Sequence, residues 1–229
     1  MKVHVAMSIG SVSQFRTIVL VDVLRSSSTI ITALNNGAAS VIPYTDLSKA
    51  VKAHRRIRRS ILTGERNGIT PRHFHFNISP FDMSRENVFG KTVLYSSSNL
   101  TRILGRLRSS HKITIGGILN AGAVAKLLRS RDEDVAIYAC GTKLGTAIED
   151  LVGAGAIASL MKRVDYSDDA LAAIGLYQTK DWRELVRRGR VARKLIGLGF
   201  EKDIEFCLRL NSSSIVPGLV GDRIVSLDH

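Results

Sequence analysis

Five short polar loops, each at the end of an apolar run of strand length, carry the residues best suited to bind an anion. The loops are rich in Ser, Gly, Asn and Thr, and a segment with helical periodicity follows each one. They span residues 25–29, 63–68, 96–99, 116–120 and 141–145. In open α/β sheets such loops form ligand crevices, because the free N–H groups of helix N-termini point into them. The repetition therefore predicts one crevice built for an anionic ligand.

Asp22 is the sharpest single candidate for chemistry, because it interrupts the apolar run from Ile18 to Leu24. A buried and unpaired carboxylate is costly, so Asp22 needs a cation or strong hydrogen-bond donors. Arg25, three residues on, is one candidate partner, and a divalent metal ion is the other. The alternative is a structural Asp that holds the next loop through backbone N–H groups.

Two further acidic segments have less specific patterns. Glu65 and Arg66 join a metal-capable carboxylate to a phosphate-capable guanidinium, although a solvated turn is the more ordinary explanation. Glu149 and Asp150 lie near the start of a Gly/Ala-rich helix, where adjacent side chains point about 100° apart. Acidic residues in a first turn also complement the helix dipole, so function and structure stay equally open there.

Composition narrows the class of protein. The chain has 229 residues, 45% of them hydrophobic, and a net charge of +13 that favours anionic partners. Its basic runs, at 52–59, 126–131 and 183–194, have the spacing of outer helix faces and lack interleaved aromatics, so nucleic-acid binding is not expected. Two cysteines, with no Cys/His cluster, predict neither a disulfide framework nor a structural zinc site. We expect a cytoplasmic protein without a membrane span or signal peptide.

Strand and helix patterns alternate along the chain, which predicts a layered α/β/α fold with a mixed, largely parallel sheet. The predicted strands cover residues 18–24, 39–43, 61–62, 92–95, 113–115 and 135–139, with a terminal hairpin over 215–225. Helices are predicted over 146–161 and from 182 to 196, and residues 69–87 as a long irregular loop. No linker divides the chain, so residues 1–229 are expected to form one α/β domain or two small lobes.

Six segments together carry a family resemblance. Residues 21–30 read V-D-V-L-R-S-S-S-T-I, 64–66 read G-E-R and 79–82 read S-P-F-D. Residues 98–102 read S-N-L-T-R, 120–121 read N-A and 149–150 read E-D. In this order and spacing they resemble the signature segments of the 2-phosphosulfolactate phosphatase family.

This resemblance implies a magnesium-dependent hydrolase of coenzyme M biosynthesis that removes phosphate from 2-phospho-3-sulfolactate, or from a related small phosphoester. It also implies a homodimer with the fold particular to that family. Carried over, the match makes these residues catalytic candidates: Asp22, Arg25, Glu65, Asn99, Asn120 and Glu149. We expect four carboxylates to hold Mg²⁺ and to orient water, namely those of Asp22, Glu65, Glu149 and Asp150. The expected substrate donors are Arg25, Ser27, Ser28, Arg66, Ser79, Ser98, Thr101 and Arg102.

Three residues depart from the family pattern. Ile78 stands where Asn is usual, Leu100 where Gly is usual, and Lys143 where a small or acidic residue is common. Leu100 is expected to crowd a loop built on a glycine conformation. The departures keep an alternative open, a catalytically weak relative that binds an anionic metabolite or a partner. The choice between water and a Ser nucleophile is also open.

Overall fold

The computed structural model describes residues 1–107 and 111–227. Its strands are β1 (Lys2–Ala6), β2 (Thr17–Val21), β3 (Ser40–Pro43), β4 (Ser60–Gly64), β5 (Thr92–Ser96), β6 (Lys112–Gly116), β7 (Val135–Ala139), β8 (Asp165–Tyr166), β9 (Pro217–Val220) and β10 (Arg223–Ser226). Its helices are α1 (Ser26–Asn35), α2 (Leu47–His54), α3 (Arg85–Val88), α4 (Leu100–Leu107), α5 (Ala121–Arg131), α6 (Ile148–Ala158), α7 (Asp168–Gln178), α8 (Trp182–Arg187), α9 (Arg190–Gly197) and α10 (Glu201–Cys207). Three 3₁₀ turns lie at Ile9–Val12, Pro80–Met83 and Ile118–Asn120.

The ten described strands form one sheet, in the order β4-β5-β3-β10-β9-β6-β2-β7-β1-β8. Strands β4, β5 and β3 pair in parallel, and so do β6, β2, β7, β1 and β8. The C-terminal hairpin β9–β10 joins these two blocks through antiparallel pairs at Ile224↔Val41 and Thr114↔Gly218. The predicted α/β fold with a mixed, largely parallel sheet is therefore confirmed, as is the terminal hairpin.

Strand β2 lies inside the larger block, between β6 and β7. All five of its residues are buried, as expected for a β-branched run that is covered on both faces. Val21 lies level with Gly116 of β6 and Ala139 of β7. The carboxyl ends of these three strands therefore share one edge, and Asp22 follows directly.

The two faces of β2 belong to two different cores. Val19 and Val21 pack with helices α5 to α10, whereas Ile18 and Leu20 share a core with Val93 and the other inner residues of β3, β4 and β5. One face of each parallel block therefore contributes side chains to the same hydrophobic core. This brings the loops after β4 and β5 near the loops after β2 and β7.

Two local predictions are wrong. The helix predicted from 182 to 196 is broken into α8 and α9 at Gly189, where a Cβ would lie 2.8 Å from the carbonyl oxygen of Val186. The segment 69–87 is not wholly irregular, since it contains the turn Pro80–Met83 and the short helix α3. Among the described residues we find no helix with the length and apolar character that a membrane span requires.

The small residues of α6 allow close packing on two sides. A Cβ on Gly153 would lie 2.7 Å from a methyl carbon of Val23, and one on Gly155 would lie 2.0 Å from the carbonyl oxygen of Ala173 in α7. Gly155 therefore lets the backbones of α6 and α7 approach each other.

We predict that Gly155→Ala lowers the free energy of unfolding by about 1–3 kcal/mol, because its methyl group overlaps a backbone oxygen. Gly175→Ala in α7 is the matched control, since a Cβ there meets nothing within 4 Å. That control should be neutral or stabilising by about 1 kcal/mol. Urea unfolding of both variants measures the difference, and equal effects would contradict the close approach of the two helices.

Candidate active site

A cleft with two adjoining chambers lies where the loops after β2, β4, β5 and β7 converge. The inner chamber, of about 120 Å³, is lined by the carboxylate residues Asp22, Glu65, Glu149 and Asp150. The outer chamber has a volume of about 690 Å³ and shares Glu65, Asn99 and Lys194 with the inner one. Four of the five polar loops therefore line the predicted crevice, and the loop after β6 does not.

Asp22 is held in place by the turn that leads into α1. Its backbone N–H donates to Ser27 Oγ at 2.9 Å, and Ser28 Oγ donates to the carbonyl of Val23 at 2.9 Å. The hydroxyls of Ser27 and Ser28 are thus used within the turn, and neither residue lines a chamber. Ser26, which was not among the predicted substrate donors, lines the inner chamber instead and hydrogen-bonds to Asp22.

Glu65 and Asp150 each tie two loops together. Glu65 accepts the backbone N–H of Ser98 at 2.6 Å on one oxygen and that of Gly68 at 2.8 Å on the other. Asp150 accepts the N–H of Val23 at 2.8 Å and that of Gly141 at 2.9 Å. Carboxylates bonded to backbone N–H groups in this way fix the walls of the cleft before any ligand enters.

Glu149 differs from these two because one of its oxygens has no partner. The side chain is 2% exposed, and its Oε2 accepts no hydrogen bond from the described residues. A buried polar atom without a partner is costly and calls for an explanation. Glu149 is therefore a carboxylate with one oxygen free to coordinate a ligand.

Burial raises the pKa values of three of the four carboxyls. The pKa of Asp22 rises to about 6, mainly through loss of water and further through the charge of Glu65. The pKa of Glu149 rises to about 7 for the same first reason, with Asp22 adding to it and Arg190 opposing it. Burial, then Glu149 and Asp22, hold the pKa of Asp150 well above its ordinary value. In their ionised form these carboxylates therefore place more negative charge in the inner chamber than the protein compensates, so a proton or a cation is favoured there.

Arg25 does not compensate this charge in the way the sequence suggested. Its Nη1 pairs with Asp203 at 2.5 Å rather than with Asp22, and its Nη2 donates to Asn77 Oδ1 at 2.8 Å. The guanidinium also lies over the ring of Phe200, 4.1 Å from its centroid. Arg25 borders the inner chamber, but its side chain is 1% exposed, so its contacts favour a positioning role over phosphate binding.

Ser79 and Asn120, both predicted site residues, are held outside the two chambers. Ser79 Oγ donates to Asp203 at 2.7 Å and caps the turn at Pro80. Asn120 accepts the N–H of Gly117 and donates to the carbonyl of Ile215 at 2.9 Å, which ties the loop after β6 to the chain before β9. Their contacts give both residues structural roles.

The remaining predicted donors do meet at the cleft. Asn99 lines both chambers and donates to the carbonyl of Gly141 at 2.8 Å, which links the loops after β5 and β7. Four further predicted residues line the outer chamber: Arg66, Ser98, Thr101 and Arg102.

Helix α9 supplies cleft residues that the sequence analysis missed. Arg190 and Lys194 are exposed, as the predicted outer helix face requires, but that face also lines the outer chamber, which the sequence did not indicate. Val191 lies between them on the same wall, and the Arg190 Nη2 donates to Thr142 Oγ1 at 2.7 Å. The i, i+4 spacing of the two cations after Gly189 is the signal that could have revealed this face.

The donor set allows a limited form of metal binding. Among residues 1–107 and 111–227, no three His, Cys, Asp or Glu side chains are grouped as a metal cluster. Magnesium, however, is usually held by one or two carboxylates, with water and substrate phosphate as its other ligands. Asp22 and the unpartnered Glu149 oxygen fit that pattern, whereas both oxygens of Glu65 and Asp150 already accept backbone N–H groups.

Comparison with known proteins gives one consistent result. A family model described as 2-phosphosulpholactate phosphatase matches residues 5–222. The chain is 38% identical over 220 residues to a probable 2-phosphosulfolactate phosphatase of Thermotoga petrophila, with 95% of each chain covered. It is 37% identical over 220 residues to that of Thermotoga maritima, again with 95% of each covered. A third relative so described, from Carboxydothermus hydrogenoformans, is 35% identical over 205 residues, 88% of this chain and 85% of its own.

We predict that Asp203→Asn lowers the free energy of unfolding by about 3 kcal/mol, because it leaves the buried Arg25 charge unpaired. Glu205→Gln is the matched control on the same helix, since the Arg187–Glu205 pair is half exposed. Its loss should stay below about 1 kcal/mol. Urea unfolding measures both, and equal losses would contradict the importance of the buried pair.

A second prediction concerns pH. Burial raises the pKa of Glu149 from 4.5 to about 7, so the folded protein binds this proton more tightly than the unfolded chain. Its contribution to stability is complete below pH 4.5 and is lost as the pH rises through about 7. In EDTA, Glu149→Gln should therefore lose less stability than wild type across that window.

The measurement is urea unfolding at several pH values, with Glu86→Gln as the exposed control. That control should follow the wild-type curve. An unchanged pH profile in Glu149→Gln would show that this carboxyl is not a buried, proton-retaining group.

Proposed function

This chain belongs to the 2-phosphosulpholactate phosphatase family, and we propose that it is a magnesium-dependent enzyme that hydrolyses 2-phospho-3-sulfolactate, or a related small phosphoester, to inorganic phosphate and the free alcohol. The observation that supports the proposal most strongly is the distribution of charged side chains between the two chambers of the cleft. Unneutralised carboxylates line its inner chamber, and basic side chains line the adjoining outer one. A phosphoester with a divalent cation matches this arrangement of charge.

We assign magnesium to the inner chamber. Glu149, which has an unpartnered buried oxygen, and Asp22 in the same chamber would hold it. Both oxygens of Glu65 and of Asp150 already accept backbone N–H groups. Bound there, the ion supplies positive charge against the phosphoryl oxygens. The raised pKa values of Asp22 and Glu149 support this assignment, since they reflect buried negative charge that a cation would relieve.

The chain itself supplies orientation. The bonds from Ser98 and Gly68 to Glu65, and from Val23 and Gly141 to Asp150, fix the loops before substrate arrives. Such preorganised groups need little rearrangement during reaction, which lowers the barrier to phosphoryl transfer. The attacking group in this proposal is a water oriented by the carboxylates. Its oxygen bonds to phosphorus, the bond between phosphorus and the alcohol oxygen breaks, and one proton of the water passes to the leaving alcohol oxygen.

Ser26 is the competing nucleophile. It is the one serine among the described residues that line the inner chamber, and it hydrogen-bonds to Asp22. A Ser26→Ala variant separates the two routes. A water mechanism predicts partial activity in that variant, whereas a serine mechanism predicts none.

The departures from the family pattern do not remove a charged group from the cleft, which weighs against the catalytically weak alternative. Ile78 is an apolar wall of the inner chamber next to Asn77, which bonds to Arg25. Leu100 is buried at the start of α4 and does not have the positive φ of a glycine turn. Lys143 is exposed and borders the outer chamber.

We further propose a pathway, an oligomeric state and a cellular compartment for this enzyme. The substrate assigns the enzyme to coenzyme M biosynthesis, and the family resemblance suggests a homodimer of single-domain chains. Both cysteines are free and buried, which supports a reducing cytoplasm.

We predict that the protein releases phosphate from 2-phospho-3-sulfolactate with Mg²⁺ and not in EDTA. Asp22→Asn and Glu149→Gln should each lower kcat/KM by at least about a hundredfold, because each removes a charged group at the reacting phosphoryl. Exposed Glu86→Gln is the control and should retain wild-type activity. Equal activity in EDTA, or an active Asp22→Asn enzyme, would contradict the proposal.

A further inference from the structure

The outer chamber contains five basic side chains that come from four separate parts of the chain. They follow β4, begin α4, follow β7 and lie on α9. They are Arg66, Arg102, Lys143, Arg190 and Lys194. None of the ion pairs formed within the described residues involves any of the five.

Among the described residues that line this chamber, the one carboxylate, Glu65, does not neutralise them. Both oxygens of Glu65 accept backbone N–H groups. Arg66, Arg102 and Arg190 donate hydrogen bonds to neutral groups. Within residues 1–107 and 111–227, the side-chain ammonium groups of Lys143 and Lys194 form no hydrogen bond or ion pair. Exposed cations are usually solvated singly, so five that converge on one concavity indicate a site for several negative charges.

The outer chamber is larger than a three-carbon acid requires. The inner chamber of about 120 Å³ suits a phosphoryl group, whereas the outer one of about 690 Å³ lies in the range of pockets that hold drug-sized ligands. No aromatic side chain is among the described residues that line the outer chamber. A nucleobase would therefore find no stacking surface there.

We propose that the outer chamber binds the organic part of larger phosphoesters, and that the enzyme also hydrolyses substrates whose organic part is non-aromatic and carries two or more further negative charges. Sugar bisphosphates represent this class. The oxygen of a water molecule forms a bond to the phosphorus in the inner chamber, and the bond from phosphorus to the sugar oxygen breaks. The proton that the water gives up passes to that sugar oxygen, so inorganic phosphate and a sugar monophosphate leave. This inference rests on the proposed phosphatase activity, because the scissile phosphate must reach the inner chamber.

Lys143 is the sharpest test residue for charge recognition. Lys143 borders only the outer chamber, and its side chain makes no hydrogen bond or ion pair with the described residues. Lys143→Ala therefore leaves the inner chamber intact. Lys194→Ala is a second variant, from helix α9, although Lys194 borders both chambers. Arg193 is the matched control, because it is an exposed cation on α9 that lines neither chamber.

The experiment compares kcat/KM, with Mg²⁺, for fructose 1,6-bisphosphate and for glycerol 1-phosphate, whose organic part is uncharged. Wild type should prefer the bisphosphate. Lys143→Ala should lower kcat/KM for the bisphosphate on the order of tenfold, and should leave glycerol phosphate nearly unchanged. Arg193→Ala should match wild type on both substrates.

Calorimetric binding of fructose 1,6-bisphosphate to the metal-free protein gives a readout besides activity, and Lys143→Ala should weaken this binding by a similar factor. Hydrolysis of 2-phospho-3-sulfolactate without hydrolysis of the bisphosphate would overturn the inference and leave the proposed function standing. Equal losses on both substrates in Lys143→Ala would also overturn it. Binding without hydrolysis of any phosphoester would overturn the further activity and the proposed function together, while retaining the chamber as an anion site.

Discussion

The structure depends on one electrostatic constraint, namely the burial of four carboxylates at the meeting point of four strand ends. The described residues contain a single buried Lys or Arg side chain, Arg25, and that guanidinium is already paired with a fifth carboxylate, Asp203. Two of the four carboxylates, Glu65 and Asp150, are stabilised by backbone N–H groups. Burial nevertheless raises the pKa of Asp150, and it raises those of Asp22 and Glu149 as well. A buried charge of this kind is tolerated when a ligand or a proton neutralises it.

The same constraint explains why the surrounding polar groups are so rigidly bonded. Each loop of the cleft is tied to another strand's loop: β4 to β5 through Glu65, β2 to β7 through Asp150, and β5 to β7 through Asn99. The Arg25–Asp203 pair adds α10 to this set. Because the loops are held by one another, the carboxylates stay together against their mutual repulsion. The fold therefore holds the cleft residues, before a ligand binds, in the arrangement that phosphoryl transfer requires.

Much of this arrangement could be predicted from sequence. An acidic residue inside a buried strand run indicated Asp22, and polar loops after strands indicated Glu65 and Asn99. Those signals are local, since they depend on strand period and loop composition. Family-like spacing added Glu149 and Asp150. The hydroxyls of Ser27, Ser28 and Ser79 matched the pattern of anion donors but serve as turn and capping groups, which the same composition favours.

What the sequence could not reveal depends on long-range packing. Asp203 reaches Arg25 across 178 positions, so no local pattern connects them. Arg190 and Lys194 line the cleft from α9, which begins after a break at Gly189 that helical periodicity alone did not indicate. The most direct test of the account is diffraction at the manganese edge from crystals soaked with Mn²⁺ and inorganic phosphate. The account predicts an anomalous peak between Asp22 and Glu149 with phosphate beside it, and an inner chamber without metal would contradict it.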